Sequence, residues 1–346
     1  MSRSSHITSV EPAAGIPGGE VLVRLSLSGV NEESPARLKV RFSGAEAHLV
    51  SISSSRALVL VPDGMIEGPV QLTISEDESA ADSQLGVQFT AGKRLAQNVH
   101  PVANPAFDPR DGAIYVTRSG ARGEHVPTSI FRIDSDDSVE EFSGDIRNPT
   151  SIAFDRTKRM FVTSRFDGTV YRVTPDRQVV TFASDLGVAT GLAFNRDGEM
   201  FVGDRSGVIH RVNEIGEASP WAEHEPSVSA YHLAFGPDDN LYVSGPTVSS
   251  FDSITRFDPA GKASLFFRGL GRPQGLAFDR EGNLYVAAAL RGRRGVVRIS
   301  PDGSHAELAV AGMNVVGLAF GPNGNMVVAT NEAVYSLPLG IKGLLT

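Results

Sequence analysis

The sequence predicts an all-β chain, an N-terminal β-sandwich followed by a C-terminal six-bladed β-propeller. Three observations lead there. A phrase ending in Ala-Phe recurs six times, at Phe107, Phe154, Phe194, Phe235, Phe278 and Phe320, with successive Phe residues 47, 40, 41, 43 and 42 positions apart. In an all-strand chain that period means one propeller blade per repeat. The 36 Gly and 20 Pro stand mostly between short alternating segments such as Leu284-Tyr285-Val286, and no long stretch carries apolar residues at helical spacing. Residues 1–91 lack the repeat, and a chain of 346 residues is long enough for two cores.

Within residues 1–91 strands are expected near Val21–Leu27, Leu38–Phe42, Ala47–Ile52, Ala57–Val61, Val70–Ile74 and Gly86–Phe89, separated by Gly, Pro and Ser turns. That is sandwich spacing. The order Ile7-Thr8-Ser9-Val10, Glu11-Pro12, Gly15, Gly18-Gly19, Val40-Arg41-Phe42-Ser43-Gly44, Val61-Pro62 and Gly68-Pro69-Val70 resembles the IPT/TIG family of immunoglobulin-like domains over nearly this whole segment. The resemblance implies a spacer or contact module without chemistry of its own.

Residues 92–346 follow the blade grammar. In the third repeat Gly191–Phe194 forms an inner strand, Asp197-Gly198 a hairpin turn, Met200–Val202 a second strand, Val208–Val212 a third and Ser219–Ala222 an outer one. The last repeat ends after Val334–Leu337 without a fourth strand, whereas Arg94–Asn98 looks like an outer strand with no blade. Residues 93–99 are therefore expected to complete the sixth blade, closing the ring and bringing the first module beside blades six and one. The phrases Gly-Leu-Ala-Phe-Asp-Arg-Glu-Gly-Asn-Leu-Tyr-Val (275–286) and Val-Tyr-Arg-Val-Thr-Pro-Asp (170–176) resemble NHL repeats and the SMP-30/gluconolactonase propellers, a likeness that covers residues 93–338. It implies the fold, and a choice among lactonases, lyases, sensors and RNA binders.

Composition narrows that choice. A formal net charge of −8 disfavours a general nucleic-acid binder. With no cysteine, disulfides, thiolate chemistry and Cys-ligated metals are excluded. Met1–His6 leads into strand-like sequence with no apolar leader, and the longest apolar run, Ala57–Val61, is too short to span a bilayer. These readings make a cytoplasmic monomer without a membrane span the default expectation.

Internal repetition separates framework from site: a residue present in every blade serves the blade, and one that breaks the pattern can serve a ligand. Arg132, Arg172, Arg211, Arg256 and Arg298 hold one third-strand position in five blades and read as cross-strand pairing. Where inner strands begin, three repeats have Gly191, Gly275 and Gly317, but the others have Asn104, Ser151 and His232, preceded elsewhere by Thr150, Thr190, Tyr231 and Gln274. A polar channel mouth built from Asn104, Thr150, Ser151, Thr190, Tyr231, His232 and Gln274 is expected. The loops joining second and third strands carry Arg118, Arg122, Arg165, Arg205, Arg291, Arg293 and Arg294 and should emerge on the same face. An acidic chain would thus present one basic surface, suited to planar bidentate contacts with carboxylate or phosphate unless Glu124, Asp167, Asp204 and Asp252 pair with it.

The SMP-30/gluconolactonase resemblance implies a divalent metal held by Glu, Asn and Asp at inner-strand starts. Those ligands fall here on Ala103-Asn104-Pro105, Thr190 and the vicinity of Tyr231, leaving Asn104 as the metal candidate in a mouth without fixed negative charge. The reading of choice is a non-catalytic recognition protein with no cofactor, whose loop face and channel mouth bind a protein partner, a small anionic ligand or a carbohydrate. The alternative is a gluconolactonase-type hydrolase or lyase acting on a lactone or sugar-acid-like substrate with Ca²⁺ or another divalent metal, His232 as general base and Arg205 steadying an oxyanion.

Overall fold

Every regular element among the described residues is a β-strand; the computed structural model describes residues 4–28, 39–65, 67–75, 86–249 and 251–344. Before residue 92, Ser4–Glu11, Glu20–Ser28, Arg56–Leu60 and His48–Ile52 make one antiparallel sheet. Val87–Ala91, Gly68–Ser75, Lys39–Phe42 and Ala45–Glu46 make the other. Strand alternation turns one set of side chains inward, so Val21, Val23 and Val59 of the first sheet and Val40, Phe42, Leu72 and Phe89 of the second fill one shared core. Leu38, at the start of an expected strand, lies outside the described residues.

From Lys93 onward the chain folds into six four-stranded antiparallel sheets, blades one to six, resembling the six-bladed propeller family. Inner strands are Ala106–Phe107, Pro149–Phe154, Ala189–Phe194, His232–Phe235, Leu276–Phe278 and Val315–Phe320, and those of blades one to five each pack against the next. One cavity of ≈ 390 Å³ is lined by all six. Lys93–Ala96 pairs antiparallel with Val334–Leu337 and supplies the outer strand of blade six.

The recurrent Ala-Phe has a physical cause. In each blade the repeat Ala lies opposite a residue of the second strand: Tyr115, Phe161, Phe201, Tyr242, Tyr285 and Val327 in turn. The small Ala leaves that ring room to lean on the repeat Phe of the following blade. Phe161 meets Phe194 at 5.7 Å, Phe201 meets Phe235 at 5.1 Å, Tyr242 meets Phe278 at 4.8 Å and Tyr285 meets Phe320 at 5.1 Å between centroids, all edge-on. Tyr115 and Phe154 complete the series at 6.0 Å, and Val327 joins Phe107 in one cluster between blades six and one. Each such pair contributes about 0.5–1.5 kcal/mol beyond the area it buries.

The N-terminal sheets sit against blades five and six, not against blades six and one. Ala14–Gly15 runs parallel to Val87–Ala91 on one side and meets Ala311, on the outer strand of blade five, on the other. Ile16 N donates to Ala311 O at 2.9 Å, and the Ile16 side chain is fully buried with Val310, Val315 and Leu337. Only a glycine fits at position 19, where a Cβ would meet the Ala311 carbonyl carbon at 2.5 Å. Backbone pairing by a short strand, rather than the chain connection at residues 92–93, sets the docking.

Candidate functional site

Inner-strand starts and second-to-third-strand loops share one face of the propeller, the loop face. Of the seven side chains expected to line its mouth, Asn104 and Thr190 are bonded between blades, whereas Thr150 and Gln274 take part in such bonds through their backbone carbonyls. Thr117 Oγ1 donates to Thr150 O at 2.7 Å, Thr163 Oγ1 to Thr190 O at 2.5 Å, and Ser244 Oγ to Gln274 O. Blade three has Gly203 at this position, and there Thr190 reverses the arrangement: its Oγ1 donates to Gly203 O at 3.1 Å and accepts from Tyr231 N at 3.1 Å. Hydroxyls thus clasp each of the first four blades to the next. Ser151 N donates to Thr163 Oγ1 at 3.0 Å, and Tyr231, buried, turns its hydroxyl onto Glu225 O.

Asn104 is the most fully engaged of the mouth residues. Its Nδ2 donates to Leu276 O at 2.9 Å and its Oδ1 accepts from Leu318 N at 3.0 Å, joining the chain ahead of blade one to the inner strands of blades five and six. Gly275 is required beside it, because a Cβ there would stand 1.9 Å from Asn104 Oδ1. His232 is buried, and its ring makes no hydrogen bond or ion pair within the described chain; desolvation pushes the imidazole down to about 4. Thr150 Oγ1 is buried and without a partner.

These residues do not fit a divalent metal. Asn104 has both amide atoms committed to backbone groups, Thr190 is held on two sides, and no group of three His, Asp or Glu side chains among the described residues could hold an ion. Hard cations need several oxygen donors with net negative charge.

The arginines behave differently. On the opposite, hairpin face, several guanidinium groups are paired, Arg110 with Asp108, Arg132 with Asp111 and Asp134, Arg159 with Asp155, Arg177 with Glu140 and Arg211 with Glu199, while among the described residues Arg156, Arg172, Arg256 and Arg280 of that face form no ion pair. Among the described residues, Arg118, Arg122, Arg165, Arg205, Arg272 and Arg294 of the loop face form no ion pair. Their neighbouring carboxylates are turned to local groups instead. Glu124 accepts from Ala121 N at 2.6 Å, Asp167 from Tyr171 Oη at 2.6 Å, Asp204 from Val188 N at 2.8 Å and Asp252 from Thr247 Oγ1 at 2.5 Å. A carboxylate that caps loop N–H and O–H groups shapes the loop and leaves the nearby cation unmatched.

The loop-face arginines form two groups. Arg272 and Arg294 border a cavity of ≈ 520 Å³ with Gln274, Asn314 and Asn331, at the mouth between blades five and six. Arg122, Arg165 and Arg205 stand on loops of blades one, two and three. Arg165 Nη2 donates to Gly120 O at 3.2 Å, and Arg205 Nε donates to Ser227 O at 3.3 Å. Arg291 is exposed, whereas Arg293 reaches away and donates to Glu11 O at 2.7 Å, so the run Arg291–Arg294 divides between cavity, solvent and the N-terminal segment. Arg272, Asn314 and Asn331 were not singled out in the sequence. The signal was available, since the connectors between blades emerge on the same face as the second-to-third-strand loops.

No protein-family model matches the chain, and no curated protein is similar to it. Solved structures are similar in fold. An auxiliary nutrient binding protein from Bacteroides thetaiotaomicron is 14% identical with a TM-score of 0.56, the likeness covering 95% of this chain and 96% of that one. A gluconolactonase from Xanthomonas campestris is 19% identical with a TM-score of 0.58, covering 71% of this chain and 88% of that one. A calcium-binding regucalcin from Agrobacterium tumefaciens is 18% identical with a TM-score of 0.59, covering 74% and 96%. The fold is therefore shared both with a binding protein and with a lactone-cleaving enzyme. Among the described residues no helix is long and apolar enough to cross a membrane.

Proposed function

We propose that this chain is a recognition protein whose propeller binds a small anionic ligand on its loop face. The observation that carries the reading is the concentration of unmatched charge: Arg110, Arg132, Arg159, Arg177 and Arg211 of the hairpin face are matched by carboxylates, whereas none of the six loop-face arginines Arg118, Arg122, Arg165, Arg205, Arg272 and Arg294 is, among the described residues. Unmatched guanidiniums attract anions over distance and then bind them through forked N–H donors. The ≈ 520 Å³ cavity with Arg272, Arg294 and Gln274 has the size of a small-molecule site, and it is the mouth we assign to the ligand. Likeness over the whole chain to a nutrient binding protein supports the same reading. In this proposal residues 1–91 are an Ig-like, IPT/TIG-type sandwich that orients the propeller of residues 92–346, and the Lys93–Ala96 strand seals its ring. Calorimetric titration of gluconate against glucose, in wild type and in Arg272→Gln/Arg294→Gln, tests it. Gluconate binding that weakens with salt and disappears in the double variant is expected; equal behaviour of the neutral sugar would sink the reading.

A hydrolase or lyase acting on a lactone or sugar-acid-like substrate is the second reading, and the fold likeness to a gluconolactonase and to regucalcin favours it. Such a protein would need a chemistry other than the metal site that the family resemblance implies, since Asn104 and Thr190 are already bound to backbone. Assay of gluconolactone hydrolysis with and without Ca²⁺, Mn²⁺ and Zn²⁺ separates the two. Turnover above the spontaneous rate would establish the enzyme.

A further inference from the structure

We propose that Arg122, Arg165 and Arg205, where the loops of the first three blades meet, form a site for the phosphoryl group of a small-molecule ligand. The proposal rests on reading the loop face as an anion-binding surface, and adds to it a second place, separate from the Arg272/Arg294 mouth, for one class of charge.

Local structure brings the three arginines together. Asn148, buried at the junction of blades one and two, donates its Nδ2 to Ser119 Oγ, Gly120 O and Ala121 O at 2.9–3.1 Å and accepts from Gly123 N at 2.7 Å. That one side chain folds the loop carrying Arg122 back over blade two. Arg165 then reaches under it to Gly120 O, while Arg205 is steadied from the other side by the carbonyls of Ser227 and Val228. Arg147, one residue before Asn148, lies over the Phe166 ring at 5.3 Å from its centroid.

Among the described residues no ion pair balances the positive charge of this corner. Asp167 and Asp204 are the carboxylates on the same turns, and both accept from backbone N–H and hydroxyl groups. Arg165 Nε is buried and has no hydrogen-bond partner, and Thr150 Oγ1, on the same blade, is likewise buried and unpartnered. Burial together with repulsion from Arg205 and Arg122 holds the Arg165 guanidinium below its ordinary range, whereas Arg94, Arg110 and Arg132, each beside a carboxylate, are held above it. A half-buried cation with two cationic neighbours is a standing cost to the fold. A doubly charged phosphoryl group relieves more of it than a carboxylate does, and offers three acceptor oxygens to three guanidiniums.

The test is a thermal-shift and calorimetric titration of the full chain with inorganic phosphate, against acetate at matched ionic strength. Phosphate is expected to raise the melting midpoint of wild type and acetate to leave it unchanged. Arg165→Met keeps the packing of the stem and removes the trapped charge, so its midpoint in phosphate-free buffer should rise while its phosphate response disappears. Arg205→Gln, on a more exposed side chain, should weaken phosphate binding by about tenfold, the worth of one charge-assisted hydrogen bond. Arg272→Gln/Arg294→Gln should leave phosphate binding intact. A phosphate response that survives Arg165→Met and Arg205→Gln but is lost in Arg272→Gln/Arg294→Gln would overturn this site and keep the anion-binding face. Equal responses to phosphate and acetate, or none to either, would overturn it as well.

Discussion

Asn104 and His232 occupy equivalent places at inner-strand starts, yet one is fully bonded and the other makes no bond. Asn104→Ala removes two hydrogen bonds and leaves the Leu276 carbonyl and Leu318 N–H without partners. It is expected to lower unfolding free energy by about 2–3 kcal/mol in denaturant titrations and to leave gluconate affinity unchanged. A metal-ligand role would show the reverse pattern. For His232, burial places the folded imidazole at about 4 against 6.5 in a free side chain. The folded state therefore binds fewer protons than the unfolded one between those values, so stability is complete above pH 6.5 and is lost as pH falls toward 4. The full difference is worth about 3 kcal/mol. His232→Gln should flatten the stability profile in this window, with a residual slope from His210 and His224, both also held low by burial. An unchanged slope would show that His232 is not buried as a neutral ring.

At the scale of strands, the clasps between blades are made mainly by second-strand hydroxyls acting on the backbone of the expected mouth residues. Thr163 receives from one blade and donates to the next through a single Oγ1. Thr163→Val keeps the shape of the side chain and breaks both bonds, an expected loss of about 1–2 kcal/mol in chemical denaturation with no change in ligand affinity. The Ala-Phe repeats and the outer strand near residue 93 were legible in the sequence because period and pattern report packing directly. Asn104, Thr150, Thr190 and Gln274 were legible as irregularities, but irregularity alone does not say whether the hydroxyl or amide turns inward or toward the neighbouring blade. The arginines pose the same problem in reverse. Arg165 and Arg293 look alike in sequence, and only the fold reveals that one stays in an unpaired cationic corner while the other is bound to Glu11 O.

Over the whole molecule, docking of the N-terminal sheets on blade five depends on Ala14–Ile16, which no periodicity marks because the paired strand is two residues long. Ile16→Ala would open a cavity beside Val310, Val315 and Leu337, an expected loss of about 2–5 kcal/mol read in thermal or denaturant unfolding. An unchanged unfolding midpoint would mean that the Ile16 seat does not contribute to docking. The distribution of charge is the other property of the whole: Arg110, Arg132, Arg159, Arg177 and Arg211 are paired on the hairpin face, and among the described residues the six loop-face arginines are not. The measurement that tests this most directly is an NMR titration of arginine Nε–H signals with phosphate. The account predicts shifts at Arg165 and Arg205 while Arg110, Arg132 and Arg159, each already paired with a carboxylate, stay in place. Equal movement of both sets, or movement confined to the paired arginines, would contradict it.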